Sequence, residues 1–172
     1  MQKIFEGTRG EIFLIDYFGK KAVLKRLRPG KPNTLQKEAK ILKMLNGRYA
    51  PKLFEAGSDY LIMEYIEGVA LKKMIKKDFK KAIRLGLEAC YFLDRMGVYH
   101  KELGRYHHLL YAKDFSWVKV IDFERSTLRP NPRNVLQFVG YYLKEYDLAE
   151  AIERYKRDKK AGFLALLKAI DV

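Results

Sequence analysis

Three ionisable residues stand where the hydrophobic pattern of this chain calls for apolar ones, and they restrict its fold more than any other feature. In the run Ala22-Val23-Leu24-Lys25-Arg26-Leu27, strand alternation puts Val23, Lys25 and Leu27 on one face. After Asn33, Leu35, Ala39, Leu42 and Leu45 form one helical stripe, and Glu38 falls within the same arc. Asp122 ends the run Val118 to Ile121 on the face of Val118 and Val120. An inward charge without a partner costs several kcal/mol, so the fold must bring an opposite charge to each. Lys25 and Glu38 are natural partners, and a carboxylate ending a buried strand is a common place for a metal ligand.

The surrounding pattern gives these residues their elements. Lys3 to Glu6, Glu11 to Phe18 and Lys20 to Leu27 are rich in Ile, Phe, Val and Leu and read as strands, with Gly7-Thr8-Arg9-Gly10 as a short turn. Arg28 to Pro32 is a loop. A helix starts near Asn33, which has capping-box spacing to Gln36, and stops at Asn46-Gly47. Leu53 to Glu55 and Asp59 to Tyr65 read as two more strands, and Glu67-Gly68 is the candidate boundary. Beyond it the chain is mainly helical. A basic helix spans Val69 to Lys77, and a longer one, capped by Asp78, ends near Met96-Gly97. Trp117 to Ile121 forms a strand. Helices follow Pro132 and Asp147, and a last one spans Phe163 to Ile170. The fold class is α+β. Residues 1–67 form a β-rich lobe with one helix, and residues 68–172 a shortened helical lobe.

Composition narrows the partners. The net charge is +14, from 35 Lys and Arg against 21 Asp and Glu, which points to a polyanion such as nucleic acid. The single cysteine, Cys90, lies in an apolar run and is expected in the core; it excludes an internal disulfide framework and a Cys-based zinc site. No stretch approaches the ~18 apolar residues of a membrane span. The start lacks a signal peptide's apolar core, so a cytoplasmic location is the default.

Five motifs in order resemble the protein-kinase superfamily, particularly its small atypical members of RIO and Bud type. Ala22-Val23-Leu24-Lys25 resembles the Val-Ala-Ile-Lys strand, which implies that Lys25 binds the α- and β-phosphates and that Glu38 holds it in place. Met63-Glu64-Tyr65-Ile66 is similar to the hinge, which implies that the backbone of Glu64 and Ile66 meets the adenine edge. His100-Lys101-Glu102-Leu103 resembles the catalytic loop, with Glu102 as the base. Val120-Ile121-Asp122-Phe123-Glu124 resembles the magnesium motif, with Asp122 as ligand. Gly7, Thr8, Arg9 and Gly10 occupy the place of the phosphate loop, although only two of its glycines remain. His107 stands where the family has a second magnesium ligand, and imidazole serves that hard cation poorly. The resemblance implies a minimal bilobal kinase-like fold using ATP or GTP with Mg2+.

The acceptor is read from what is missing. After Asp122 there is no long activation segment and no Ala-Pro-Glu element to hold a peptide. Instead Lys72, Lys73, Lys76, Lys77, Lys80 and Lys81 crowd one stretch, Arg154 to Lys160 another, and Arg125, Arg129 and Arg133 follow the magnesium motif, with Tyr99, Tyr106, Tyr111 and Trp117 interleaved. Within the superfamily the whole chain is most similar to the archaeal RNA kinases. That resemblance implies transfer of the γ-phosphate to a ribose 2′-OH of tRNA, at a uridine of the variable-loop region, which stabilises tRNA in a thermophile. An atypical serine/threonine protein kinase and a pseudokinase RNA-binding module are the alternatives.

Overall fold

The computed structural model describes residues 1–7 and 10–172. Met1–Glu67 and Lys119–Ser126 form one unit, and Gly68–Val118 with Thr127–Val172 form the other. The architecture is α+β, a β-rich beginning followed by helices, as the sequence pattern predicts.

In the first unit the chain runs β1 (Gln2–Glu6), β2 (Gly10–Tyr17), β3 (Lys20–Leu27), α1 (Leu35–Leu45), β4 (Leu53–Ala56) and β5 (Tyr60–Glu64). Among the described residues the strands make an antiparallel sheet of order β1-β2-β3-β5-β4. The β2–β3 hairpin turns through Phe18 and Gly19, both at positive φ (51° and 86°), the backbone that a tight two-residue turn requires. Asp16 Oδ1 accepts from Gly19 N and fixes that turn. At Gly10 a Cβ would stand 2.5 Å from Arg26 O, so β2 and β3 can close on each other only with glycine there. Asn33 Oδ1 accepts from the backbone of Leu35 and Gln36 and so covers the first turn of α1. The helix stops at Asn46, which is left-handed, and its N–H returns to Leu42 O. The face of α1 that carries Leu35, Glu38, Ala39, Ile41, Leu42 and Leu45 is buried.

The second unit holds β6 (Val69–Ala70), α2 (Leu71–Lys77), α3 (Phe79–Met96), β7 (Val98–Tyr99), a 3-10 turn at Tyr106–His108 and β8 (Leu109–Tyr111). Through β9 (Val118–Val120) the chain crosses to the first unit, and with β10 (Thr127–Leu128) it is back in the second, which ends in α4 (Asn134–Tyr142), α5 (Ala149–Arg157) and α6 (Lys159–Ala169). Val69 and Ala70, expected as helix, are extended because their backbones pair with Tyr111 and Leu110 of β8. Asp78 Oδ1 accepts from Lys81 N and caps α3, which ends on Gly97 at φ 74°. Asp158 caps α6 in the same way and starts it four residues ahead of Phe163. Cys90 is buried in the core of this unit, and Tyr111 is also core.

The segment Lys119–Ser126, expected with residues 68–172, packs with the first unit. Backbone bonding explains it: Val120 N donates to Tyr49 O at 2.8 Å, and Phe123 N donates to Glu38 Oε2 at 2.9 Å. Among the described residues no helix is long and apolar enough to cross a membrane.

Candidate active site

Lys25 sits mid-strand on β3, with Ile12 of β2 opposite it on one side and Leu61 of β5 on the other. A side chain there is flanked by strands, and only 9% of it is exposed. Glu38, in the first turn of α1, is fully buried. Lys25 Nζ donates to both Glu38 oxygens, at 2.9 and 3.1 Å, and stands 3.7 Å from Asp122 Oδ1. Burial by itself would lower the Lys25 pKa. The charges of Glu38 and Asp122 and the bond to Glu38 outweigh it and hold the ammonium above its ordinary range. Burial pushes the Glu38 carboxyl upward, against the Lys25 ammonium and the Phe123 N–H. With donors directed at both its oxygens, the carboxylate is the form this geometry accommodates.

Asp122 differs from its expected setting. β9 ends at Val120, and Asp122 lies beyond it at φ 64°, with its side chain 37% exposed. It therefore does not continue the buried face of Val118 and Val120. The Phe123 amide bonded to Glu38 turns the chain, and the carboxylate is left partly open while Phe123 is buried. One turn of α1 grips this segment twice: Thr34 Oγ1 donates to Glu124 Oε1 at 2.7 Å, and Glu38 holds Phe123.

A partly exposed carboxylate beside a buried ammonium suits a magnesium ion, which uses one or two protein carboxylates and takes its remaining ligands from phosphates and water. Asp122 is the residue that would hold it. Among the described residues no three His, Cys, Asp or Glu side chains gather into an all-protein cage.

Glu64 and Ile66 divide the backbone groups expected at the adenine edge. Glu64 N donates to Lys52 O at 2.8 Å, so its N–H is not left to meet a base. The Ile66 backbone takes no partner among the described residues and keeps both its groups. The Glu64 carboxylate is held by Lys119 Nζ at 2.9 Å. Gly7 N donates to Gly10 O at 2.9 Å, which closes the turn between β1 and β2. Thr8 and Arg9 lie outside the described residues.

In the second unit a chain of hydrogen bonds builds the loop that carries Glu102. His100 is buried, and its N–H donates to Asn134 Oδ1 at 3.0 Å. Glu102 N donates to His100 Nδ1 at 3.2 Å, and His108 Nδ1 lies 3.0 Å from Glu102 O. Both backbone groups of Glu102 are thus tied to histidines, which brace the loop. The Glu102 carboxylate pairs with Arg105 Nε at 3.2 Å. His107 is exposed, with its ring edge-on to His108 at 4.5 Å.

Sequence reasoning missed the brace behind this loop. Asp94, buried on α3, accepts from Asn134 N and Nδ2, both at 2.8 Å, and from the Tyr155 hydroxyl at 2.6 Å. Asn134 Nδ2 also donates to Val98 O. Asp94 follows Cys90 by four residues and Leu87 by seven, so its place on the apolar stripe of α3 was a readable signal.

No protein-family model matches the chain. Over 129 residues it is 30% identical to calcium/calmodulin-dependent protein kinase type 1 of Caenorhabditis briggsae, covering 68% of this chain and 35% of that protein. The match to the Caenorhabditis elegans protein of the same name is also 30% over 129 residues, covering 68% and 36%. The chain is related to protein kinases. It spans about a third of the length of these curated relatives. The kinase-like chain holds its Lys25–Glu38–Asp122 constellation in one unit and its Glu102 loop in the other.

Proposed function

We propose that this chain is a nucleotide-dependent phosphotransferase that passes the γ-phosphate of ATP or GTP to RNA, with a tRNA ribose 2′-OH as the acceptor. The observation that carries the phosphotransfer reading is the buried Lys25 ammonium, held by Glu38 at 2.9 Å with the Asp122 carboxylate 3.7 Å away. Structural ion pairs do not need a third, partly open carboxylate; a phosphate-binding lysine beside a metal ligand does.

Each residue then has a task. Lys25 binds the α- and β-phosphates, and Glu38 fixes its direction. The Glu64 carbonyl and the Ile66 backbone receive the base. Asp122 holds magnesium, which supplies neutralisation of phosphate charge when bound. Glu102 accepts the proton of the attacking hydroxyl as its oxygen bonds to the γ-phosphorus and the bond to the β-phosphate oxygen breaks. His107 either joins Asp122 as a magnesium ligand or contacts phosphate.

RNA as acceptor is supported by the net charge of +14 and by the exposure of Lys72, Lys73, Lys76, Lys77, Lys80 and Lys81 on α2 and α3. Such contacts set affinity without reading sequence. A protein acceptor is the second reading, favoured because both curated relatives are protein kinases.

One experiment separates these readings. The protein is incubated with γ-labelled ATP or GTP, magnesium, bulk tRNA and a generic protein acceptor. Label in tRNA that periodate-resistant, 2′-modified nucleotides carry is the expected result. Label in protein alone favours the second reading, and no label in either overturns phosphotransfer. Raising salt from 50 to 200 mM should weaken tRNA binding by at least about tenfold, because phosphate contacts release counterions.

A further inference from the structure

The second unit carries a groove of about 350 Å³ lined by Tyr99, Arg133, Gln137, Gly140, Tyr141 and Lys144, among others. That volume falls in the range of small-ligand sites. No acidic residue lines it among the described residues. Its chemistry comes in three kinds. Arg133 and Lys144 are exposed cations just beyond opposite ends of α4, whose span from Asn134 to Tyr142 is roughly 12 Å at 1.5 Å per residue. Tyr141 is an exposed ring, and Tyr99 is a half-buried one whose π-system already takes the Arg129 guanidinium at 5.2 Å. Gln137 is an amide whose Oε1 is buried with no hydrogen-bond partner among the described residues.

These features match a single nucleic-acid strand. Aromatic rings stack bases of any sequence, while cations track the backbone. The length of α4 between the two cations covers several stacked nucleotides at about 3.4 Å each. A buried carbonyl without a donor is costly, and the edge of a base offers N–H groups that would relieve it. The groove is also built onto the Glu102 loop. Tyr99 precedes His100, and the ring of Tyr141 lies where a Cβ on Gly104 would come within 2.6 Å of it. The Tyr142 hydroxyl donates to Leu103 O, and Asn134, next to Arg133, accepts from His100 N.

We propose that this α4 groove seats the acceptor strand, holding single-stranded RNA beside the loop that carries Glu102. The proposal rests on the RNA reading of the function, and its test needs no phosphotransfer. Gly140 provides the probe, because a Cβ added there meets nothing within 4 Å and helices favour other residues over glycine. G140E places a negative charge at the groove on a position with room for a Cβ, and G140Q gives the same size without charge. A169E puts the same charge on an exposed position of α6.

Binding of a fluorescein-labelled single-stranded RNA is measured by anisotropy, without nucleotide, on folded proteins checked by circular dichroism. Wild type and A169E are expected to bind within about twofold of each other, G140Q close to them, and G140E at least tenfold more weakly. Y141A should lose on the order of tenfold and Y141F little, since stacking needs the ring and not the hydroxyl. Equal binding by G140E and A169E overturns the proposal. So does a labelled oligoglutamate peptide that binds the wild type more tightly than RNA and is equally sensitive to G140E, which would make the groove a protein site. Loss of γ-phosphate transfer with these affinities intact would instead count against the catalytic reading alone.

Discussion

Lys25 and Glu38 can be tested as one energetic unit. K25M removes the ammonium and leaves Glu38, fully buried, with the Phe123 N–H but no opposite charge. Breaking a buried pair from one side costs about 3–5 kcal/mol. For a domain of this size each kcal/mol shifts the melting temperature by about 2–4 °C, so K25M should melt roughly 6–20 °C lower. E38Q removes the negative charge but keeps an acceptor for the Phe123 N–H, and Lys25 keeps Asp122 at 3.7 Å. It should cost less than K25M. The double variant K25M/E38Q buries a neutral pair, so its cost should fall below the sum of the singles by about 2–3 kcal/mol. Urea and thermal unfolding at pH 7, followed by circular dichroism, give the four corners of the cycle. γ-Phosphate transfer should be lost in all three variants, including the double variant whose stability recovers. Additivity within about 0.5 kcal/mol would refute the reasoning, because it would mean that the two side chains do not share their burial cost.

D122N should reduce transfer by at least about 100-fold while leaving the melting temperature close to wild type. The position is partly exposed at φ 64°, a backbone that asparagine tolerates, and single-turnover assays would detect the loss. G162A should destabilise although alanine is the better helix former by about 1 kcal/mol. Its Cβ would stand 2.2 Å from the Tyr155 backbone, which must move, so a lower urea midpoint is expected. Stability should also fall at high pH. Tyr155 is raised above its ordinary 10.0 by burial and then by the Asp94 charge, and Lys25 lies above its ordinary 10.5. Both hold their protons more tightly when folded, so their contribution is complete below those values and is lost as pH rises past them. Melting temperatures from pH 7 to 11 should decline above about pH 10, and less steeply in Y155F.

Lys25 and Glu38 were legible because the strand and the helix around them keep strict periods, so a charge on the apolar face stands out. The same rule, applied to α3, would have found Asp94; its partners Asn134 and Tyr155 lie 40 and 61 residues away and no local pattern connects them. Asp122 was legible as a residue but not in its setting, because hydropathy does not show that the strand stops at Val120. β7 and β10 are two residues each and leave no periodic trace, and they exist through the pairing of Val98 with Leu128 and of Tyr99 with Thr127. The start of α6 was hidden by Lys159 and Lys160, charged residues that precede the apolar stripe; the Asp158 cap is what places it. Lys119–Ser126 joins the first unit through backbone bonds to Tyr49 and Glu38, which are tertiary contacts that a one-dimensional reading does not contain.

Those contacts also explain why the three charged residues form one device rather than three coincidences. Glu38 uses the same two oxygens to hold Lys25 Nζ and the Phe123 amide. The carboxylate that directs the phosphate-binding lysine therefore also fixes the backbone next to Asp122. Thr34, one helical turn earlier, fixes Glu124 on the other side. A displacement of α1 would loosen Lys25 and release the Asp122 segment together, since both bonds end on the one Glu38 carboxylate. The positive φ of Asp122 follows from this arrangement: the chain must turn sharply between the end of β9 and the Phe123 amide held by Glu38, and the residue between them takes the left-handed backbone. One buried carboxylate on one helix thus orients the phosphate-binding lysine and positions the Asp122 segment at once.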